Sequence, residues 1–448
     1  MRLKRDISFG QLVLLSLGGI IGAGIFLATS LTIPAAGPGV IISYLIGGVI
    51  MACVVSFLAE MTTAQPVAGG FSHFAGETLG PYAGFITGWM YWTAGVLTMS
   101  SEATAAGIFA RWWWPHFPLW GFTLISSLLL TGANLMDVKG FGRVESSLAV
   151  IKVAALIFFI VAGSVFWLGF LPGHPSPGLA NFLGHGGFLP KGWTGVGSAL
   201  LLVMFAYAGT SVIGLAAAET KDPAQTMPGA IRAITLAVTV LYIGTVTVLV
   251  GILPWWELTP GISPMVRAFG LIGLPRSSDL MNLVVLTAVL SSLNAAMYGV
   301  SRMLYALAGQ GEAPGLFARL NRHGVPQYSV LLSSLFLLLA SLLAYVLPHQ
   351  VFLYLTSSSG FVSMFNWIVI SLTHYYFRGM MKKKNPAALR YLAWGHPYTS
   401  LLTTALILGV LASAYLVPGQ RVGFAGGLAL WGLYSLVFLL RNWRRGVR

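Results

Sequence analysis

Two ionisable side chains stand inside long apolar runs: Lys152 in SSLAVIKVAALIFF and Glu102 in LTMSSEATAAG. A charge at the centre of a membrane-spanning helix costs about 2.5–3.5 kcal/mol on insertion scales, so each is a functional candidate by default. A lysine held out of water can load and release a proton, which is the chemistry of proton coupling. The same side chain can instead snorkel to the near surface, or tether a neighbouring helix through its carbonyls without titrating. Glu102 has three readings: it lines a pocket that favours an amino group, it takes part in proton coupling, or it stays protonated and bonded to a neighbouring helix.

A second kind of chemistry belongs to the backbone. In LLSLGGIIGAGIFLATS, Leu14 to Ser30, the glycines Gly18, Gly19, Gly22 and Gly24 crowd the middle of an apolar segment. Each glycine costs a helix interior about 1 kcal/mol against alanine, so a break is expected there. The sixth apolar segment, GSALLLVMFAYAGTSVIGLAAAET, has a matching interruption at FAYAGTS, Phe205 to Ser211. A broken helix offers N–H groups, which favour an anion, and carbonyls, which favour a cation. First and sixth segments cross in opposite directions, so the paired breaks suit a zwitterion. Interrupted segments in corresponding halves point to a secondary transporter's binding site. The bland alternative is that the glycines only let helices pack closely.

Elements that could hold these groups follow from composition. The chain has 448 residues, 56% hydrophobic and only 8% charged, with mean hydropathy +0.82. Soluble domains carry about 25% charged residues, so this reads as one integral membrane domain over residues 1–448. The lone Cys53 excludes an internal disulfide and most cysteine-ligated metal sites. The first apolar segment, with its glycine-rich middle, is not expected to be a cleaved signal peptide.

Segments of about 20 apolar residues cross the hydrocarbon core as helices. The breakers predict twelve spans: 9–34, 39–64, 80–110, 118–136, 141–170, 194–217, 226–253, 279–308, 328–347, 350–377, 399–417 and 422–441. The net charge of +14 does not indicate nucleic acid, because it lies in short loops and tails. Only Arg111, Lys191, Arg267, Arg276 and Arg421 fall on one side; every other Lys or Arg except Lys152 falls on the other. The positive-inside rule therefore places both termini in the cytoplasm. Trp112, Trp113, Trp114, Trp255 and Trp256 are expected in the outer aromatic belt.

Longer stretches carry a family resemblance. GGIIGAGIF, followed by AAGPGVIISYLIGGVIMACVVSFLAEMTTAQPVAGGFSHFAGETLGPYAGFITGWMYW, resembles the amino acid permeases of the amino acid–polyamine–organocation superfamily. FAYAGTSVIGLAAAETKDPAQTMPGAI is similar to that family's sixth helix and the loop after it. NLVVLTAVLSSLNAAMYGVSRMLYALAGQGEAPGLFARLNRHGVP is similar to its eighth. The resemblance runs from about residue 6 to 377 and is closest to bacterial proton symporters; the last two helices match only in hydropathy.

The resemblance implies an all-α, leucine-transporter-like fold. Residues 9–170 and 194–377 would form an inverted repeat of five plus five helices, with two peripheral helices over 399–441. It implies that the substrate carboxylate meets backbone N–H groups of Ile21, Gly22, Ala23 and Gly24. The amino group would meet carbonyls of Gly18, Phe205, Ala206 and Ala208, with Phe205 or Tyr207 as the covering aromatic. Ala23 replaces the small hydroxyl residue frequent at its place, which leaves the carboxylate one side-chain donor fewer. A fifth-helix lysine at the place of Lys152 is where sodium-coupled relatives bind a cation, and a glutamate like Glu102 recurs in the bacterial permeases.

The expected function is import of amino acids across the plasma membrane by proton symport with alternating access, with exchange as the alternative. Met99, Ser291, Asn294 and Phe361 are the side-chain candidates for the pocket, and their mixed, uncharged character leans toward a neutral substrate. Glu60, Glu145 and Glu219 are expected to pair with Arg143, Lys221 or Arg5 in an inner gate. Lys382, Lys383 and Lys384 read as topogenic or lipid-attracted. The histidines lack ligand spacing and no phosphate-binding glycine loop occurs, so no cofactor, metal or nucleotide is expected. The expected partners are the amino acid, protons and the bilayer, with no nucleic acid and no obligatory protein partner.

Overall fold

The computed structural model describes residues 8–67, 69–136, 141–170, 173, 175–211, 213, 220–271 and 276–446. Helices dominate and no strand occurs among the described residues. That follows from backbone that must satisfy its own polar groups away from water. Ten stretches among the described residues are long and apolar enough to cross a membrane. They are fewer than the twelve expected spans for two reasons. The helix α6, Pro81–Ala110, carries Glu102 and several buried hydroxyls and is not among the ten. The first expected span is split, so its opening piece is only the short helix α1, Phe9–Ile20, while Thr29–Ala64 forms a single apolar stretch.

In chain order α1 is followed by α2, Ala23–Phe26, α3, Thr29–Ala36, and α4, Val40–Ala64. Ser8 caps α1 reciprocally with Gln11, its amide bonding Oε1 at 3.0 Å. After α4, Gly69 and Gly70 adopt positive φ of 87° and 47°. This turn, open to glycine at little cost, leads into the short helix α5, Phe71–Leu79, which the apolar pattern does not predict. Beyond α6 come α7, Leu119–Met136, α8, Phe141–Trp167, α9, Ala180–Leu183, α10, Gly192–Tyr207, and α11, Pro223–Ile252. The remainder are α12, Pro264–Leu271, α13, Ser277–Gly309, α14, Gln327–Val346, α15, Val351–Lys384, α16, Tyr398–Leu416, and α17, Arg421–Gly446.

The centre of the bundle is α6, packed along α13 and α15. Small residues permit that approach: a Cβ on Gly88 or Gly95 would overlap Leu307 or Val300 of α13. On the opposite side α4 lies against α10 and α11, with Gly47 under the Tyr207 ring. The helices α16 and α17 pack on α15 at the periphery, and α17 is largely exposed. Its outward leucines, with Leu128, Leu129, Phe158 and Val161 on α7 and α8, form an apolar exterior suited to lipid. Trp112, Trp114 and Trp256 are exposed at helix ends as expected, but Trp255 is buried beneath Gly37 and belongs to the interior.

Candidate functional site

The first break lies between α1 and α2. Ile21 is extended, with φ −80° and ψ 99°, and Gly22 leaves helical space altogether at φ −149° and ψ −149°. Close approach explains the glycines here. A Cβ on Gly22 would collide with Glu102 Oε1 and Ser292 Oγ, and one on Gly24 would collide with the Ala206 backbone. The break therefore touches α6, α10 and α13 at once.

Both intramembrane charges converge on this break. Lys152, 1% exposed on α8, donates from Nζ to Gly18 O at 2.5 Å and to Ser292 Oγ at 3.0 Å. Ser292 Oγ also lies 3.1 Å from Gly18 O and 2.8 Å from Ile21 O. Lys152 thus does not snorkel; its Nζ binds a carbonyl that the end of α1 leaves open. Glu102, 3% exposed on α6, accepts the Ala23 N–H with Oε1 at 3.1 Å and Oε2 at 3.0 Å. The backbone group that the resemblance assigns to a substrate carboxylate here holds a carboxylate of the protein.

The second break begins where α10 gives way to a 3-10 turn, Ala208–Ser211. A Cβ on Gly209 would stand 2.5 Å from Gly19 O and 3.0 Å from Ile20 Cα, so the two breaks are in direct contact. Tyr242 of α11 joins them as well. Its hydroxyl is 2.9 Å from Ile20 O and 3.2 Å from Ala206 O, one proton facing two carbonyls. Ile213 and Thr220 are the only described residues between Ser211 and Lys221, so the rest of the expected sixth span lies outside the described residues.

Phe205 and Ala206 are buried beside the break. Tyr207 is fully buried but turned away from it: its hydroxyl donates to Tyr44 O at 3.0 Å and its ring packs on Tyr44 and Tyr242. The Tyr207 hydroxyl is thus bonded to α4.

A cavity opens beside the two breaks. It is lined by Gly19, Ala208 and Gly209 together with Tyr91, Ala94, Gly95, Thr98, Ala295, Ala296, Val300, Ser363 and Asn366. None of these lining residues is charged. The side chains expected to face a pocket do not line it. Asn294 bonds Asn134 of α7 at 2.7 Å, Phe361 packs on Phe424 of α17, and Met99 and Ser291 are buried among helices. Ser292, one position beyond Ser291, is the serine on the break. A single residue turns a helix by about 100°, which a run such as LSSLN does not resolve. A lone tyrosine inside the seventh span was the available signal for Tyr242, because a buried phenol needs a partner.

Of the expected inner-gate acids, Glu60 is placed differently. It is fully buried and binds Arg378 and His374 of α15: Oε1 accepts Arg378 Nε at 2.6 Å, and Oε2 contacts Arg378 Nη2, His374 Nε2 and the Ala393 amide. The helix α15 runs on past 377 to Lys384, and that extension carries Arg378 to Glu60. Arg5 and Glu219 lie outside the described residues, as do the side chains of Arg143 and Glu145.

Comparison with known proteins agrees with this architecture. The sequence profile described as amino acid permease matches residues 11–442. The γ-aminobutyric acid permease of Bacillus subtilis (strain 168) is 36% identical over 419 residues, covering 94% of this chain and 89% of the relative. The aromatic amino acid transport protein AroP of Salmonella typhimurium (strain SL1344) is 37% identical over 422 residues, 94% and 92% of the two chains. An uncharacterized amino acid permease of Bacillus subtilis, YtnA, is 37% identical over 435 residues, 97% and 94% of the two. With a helical bundle of membrane-spanning length and a profile match over nearly its whole length, the chain belongs to the amino acid permease family of the amino acid–polyamine–organocation superfamily, multi-pass membrane proteins of amino acid transport.

Proposed function

We propose that this permease imports neutral amino acids across the plasma membrane by proton symport with alternating access, both termini lying in the cytoplasm. The observation that carries the reading is the contact between two helix interruptions, Gly209 against Gly19, beside an uncharged cavity. The substrate backbone would meet N–H groups of Ile21, Gly22, Ala23 and Gly24, and carbonyls of Gly18, Phe205, Ala206 and Ala208. Its side chain would extend into the cavity. Residues 9–170 and 194–377 would act as inverted halves, with 399–441 peripheral.

Neutral selectivity is supported by the lining, where Thr98, Ser363 and Asn366 are the polar members beside small apolar residues. The names of the relatives point the same way, since γ-aminobutyric acid and aromatic amino acids carry no net charge. Lys152 is our candidate for coupling. It is the buried cation that binds the open end of α1, so its protonation state bears on how firmly α1 is held. An exchanger built on the same fold is the competing reading.

Reconstitution in liposomes tests both. The expected result is counterflow of a neutral amino acid and concentrative uptake driven by an inward proton gradient, with the gradient response lost in Lys152→Gln. Absence of counterflow for every amino acid would end the transport reading of this site. Undiminished gradient-driven uptake in Lys152→Gln would remove Lys152 from coupling, and uptake that requires internal amino acid would favour exchange.

A further inference from the structure

The placement of Glu102 bears on what the carrier does when it is empty. Glu102 grips the Ala23 N–H with both oxygens, while Lys152 holds Gly18 O on the other side of the break. Ser292 sits between them, bonded to Lys152 and within reach of both Gly18 O and Ile21 O. The position a Cβ would take on Gly22 is filled by Glu102 Oε1 and Ser292 Oγ together. Glu102 and Lys152 thus serve the two open ends of one interrupted helix. A substrate carboxylate that needs the Ala23 N–H must displace Glu102, because one N–H cannot serve two carboxylates side by side.

We propose that Glu102 is an internal stand-in for the substrate carboxylate. In the loaded carrier the substrate takes the Ala23 N–H; in the empty carrier Glu102 returns to it. The break is then satisfied in both forms, and the empty carrier can reorient. A break left with a bare N–H would resist reorientation, since an unmet buried backbone group costs about 1–3 kcal/mol. Glu102 is therefore a positioning residue for the unloaded return step, and it makes the protein a net importer. Without it, the cycle would be confined to exchange. The inference rests on the proposed substrate site at the break.

The experiment compares two fluxes in the same liposomes: net uptake of labelled neutral amino acid into vesicles without internal substrate, and counterflow into vesicles preloaded with it. Net uptake requires the empty carrier to return; counterflow does not. For Glu102→Leu, which removes the acceptor at similar size, and for Glu102→Asp, whose shorter carboxylate falls short of Ala23, the ratio of net uptake to counterflow is expected to fall at least tenfold below wild type. A merely structural role would lower both fluxes together. An unchanged ratio, or equal loss of both fluxes in variants that remain monodisperse, overturns the proposal. If Glu102→Leu does not fold, Glu102→Asp decides alone. Wild-type protein with no counterflow at all would instead mark failure of the site reading itself.

Discussion

Tyr242 and Ile20 lie on different helices, yet the Tyr242 hydroxyl sits 2.9 Å from the last carbonyl of α1 and 3.2 Å from Ala206 O in the partner helix. One phenol thus joins the two interrupted helices, with Lys152, Ser292 and Glu102 completing the ring of contacts around the break. The interruptions are held in place by side chains from α6, α8, α11 and α13.

Loss of that phenol is the first prediction. Tyr242→Phe keeps the ring packing on Tyr44 and Tyr207 but leaves two buried carbonyls with one donor fewer. Each hydrogen bond contributes about 0.5–1.5 kcal/mol net. Thermal unfolding in detergent should move down by about 2 °C, while transport should drop severalfold. Wild-type transport in this variant would show that the junction does not depend on the hydroxyl.

A pair of glycine substitutions separates close approach from helix propensity. Gly209→Ala drives a methyl to within 2.5 Å of Gly19 O, whereas the Cβ of Gly132→Ala in α7 meets nothing within 4 Å. Alanine is the better helix former. Gly132→Ala should be neutral or slightly stabilising, and Gly209→Ala should reduce counterflow at least tenfold. Equal behaviour of the two would mean that the breaks need not touch.

The Glu60 cluster predicts a stability effect remote from the cavity. Arg378→Ala removes the guanidinium from a fully buried carboxylate that also holds His374 and the Ala393 amide. Removing one partner of a buried pair costs about 3–5 kcal/mol, mostly by stranding the other charge. Arg378→Ala should therefore melt well below wild type, and the double change Glu60→Gln with Arg378→Ala should recover part of the loss. Additive losses, measured by thermal denaturation of purified protein, would deny the coupling.

Ala296 tests the cavity. It is half-buried on α13 and lines the empty space beside the breaks. Ala296→Phe should fill part of that volume, so bulky amino acids should lose competition against a small labelled substrate before alanine or glycine do. Competition profiles identical to wild type would place the substrate side chain elsewhere.

Much of the frame was legible along the chain, because hydropathy and breakers are local properties. The edges of α6, α7, α13 and α14 fall within two residues of the expected spans, and the glycine-rich middle of the first span is broken at Gly22. Lys152 and Glu102 announced themselves as charges in apolar surroundings. The pocket side chains did not, since which face of α13 or α15 meets the cavity depends on helix rotation, and hydrophobic helices in lipid carry little amphipathic signal. That is why Asn294 and Phe361 turned out to face α7 and α17.

The sequence by itself determined the membrane class, the position of both helix breaks and the two buried charges, all consequences of residue type at a given point in the chain. Tertiary structure decided the partners: Glu102 on Ala23, Lys152 on Gly18, Tyr242 across both breaks and Arg378 on Glu60. Those groups are tens to hundreds of residues apart. Only the packing of one helix on another sets the ångström-scale distances at which hydrogen bonds form.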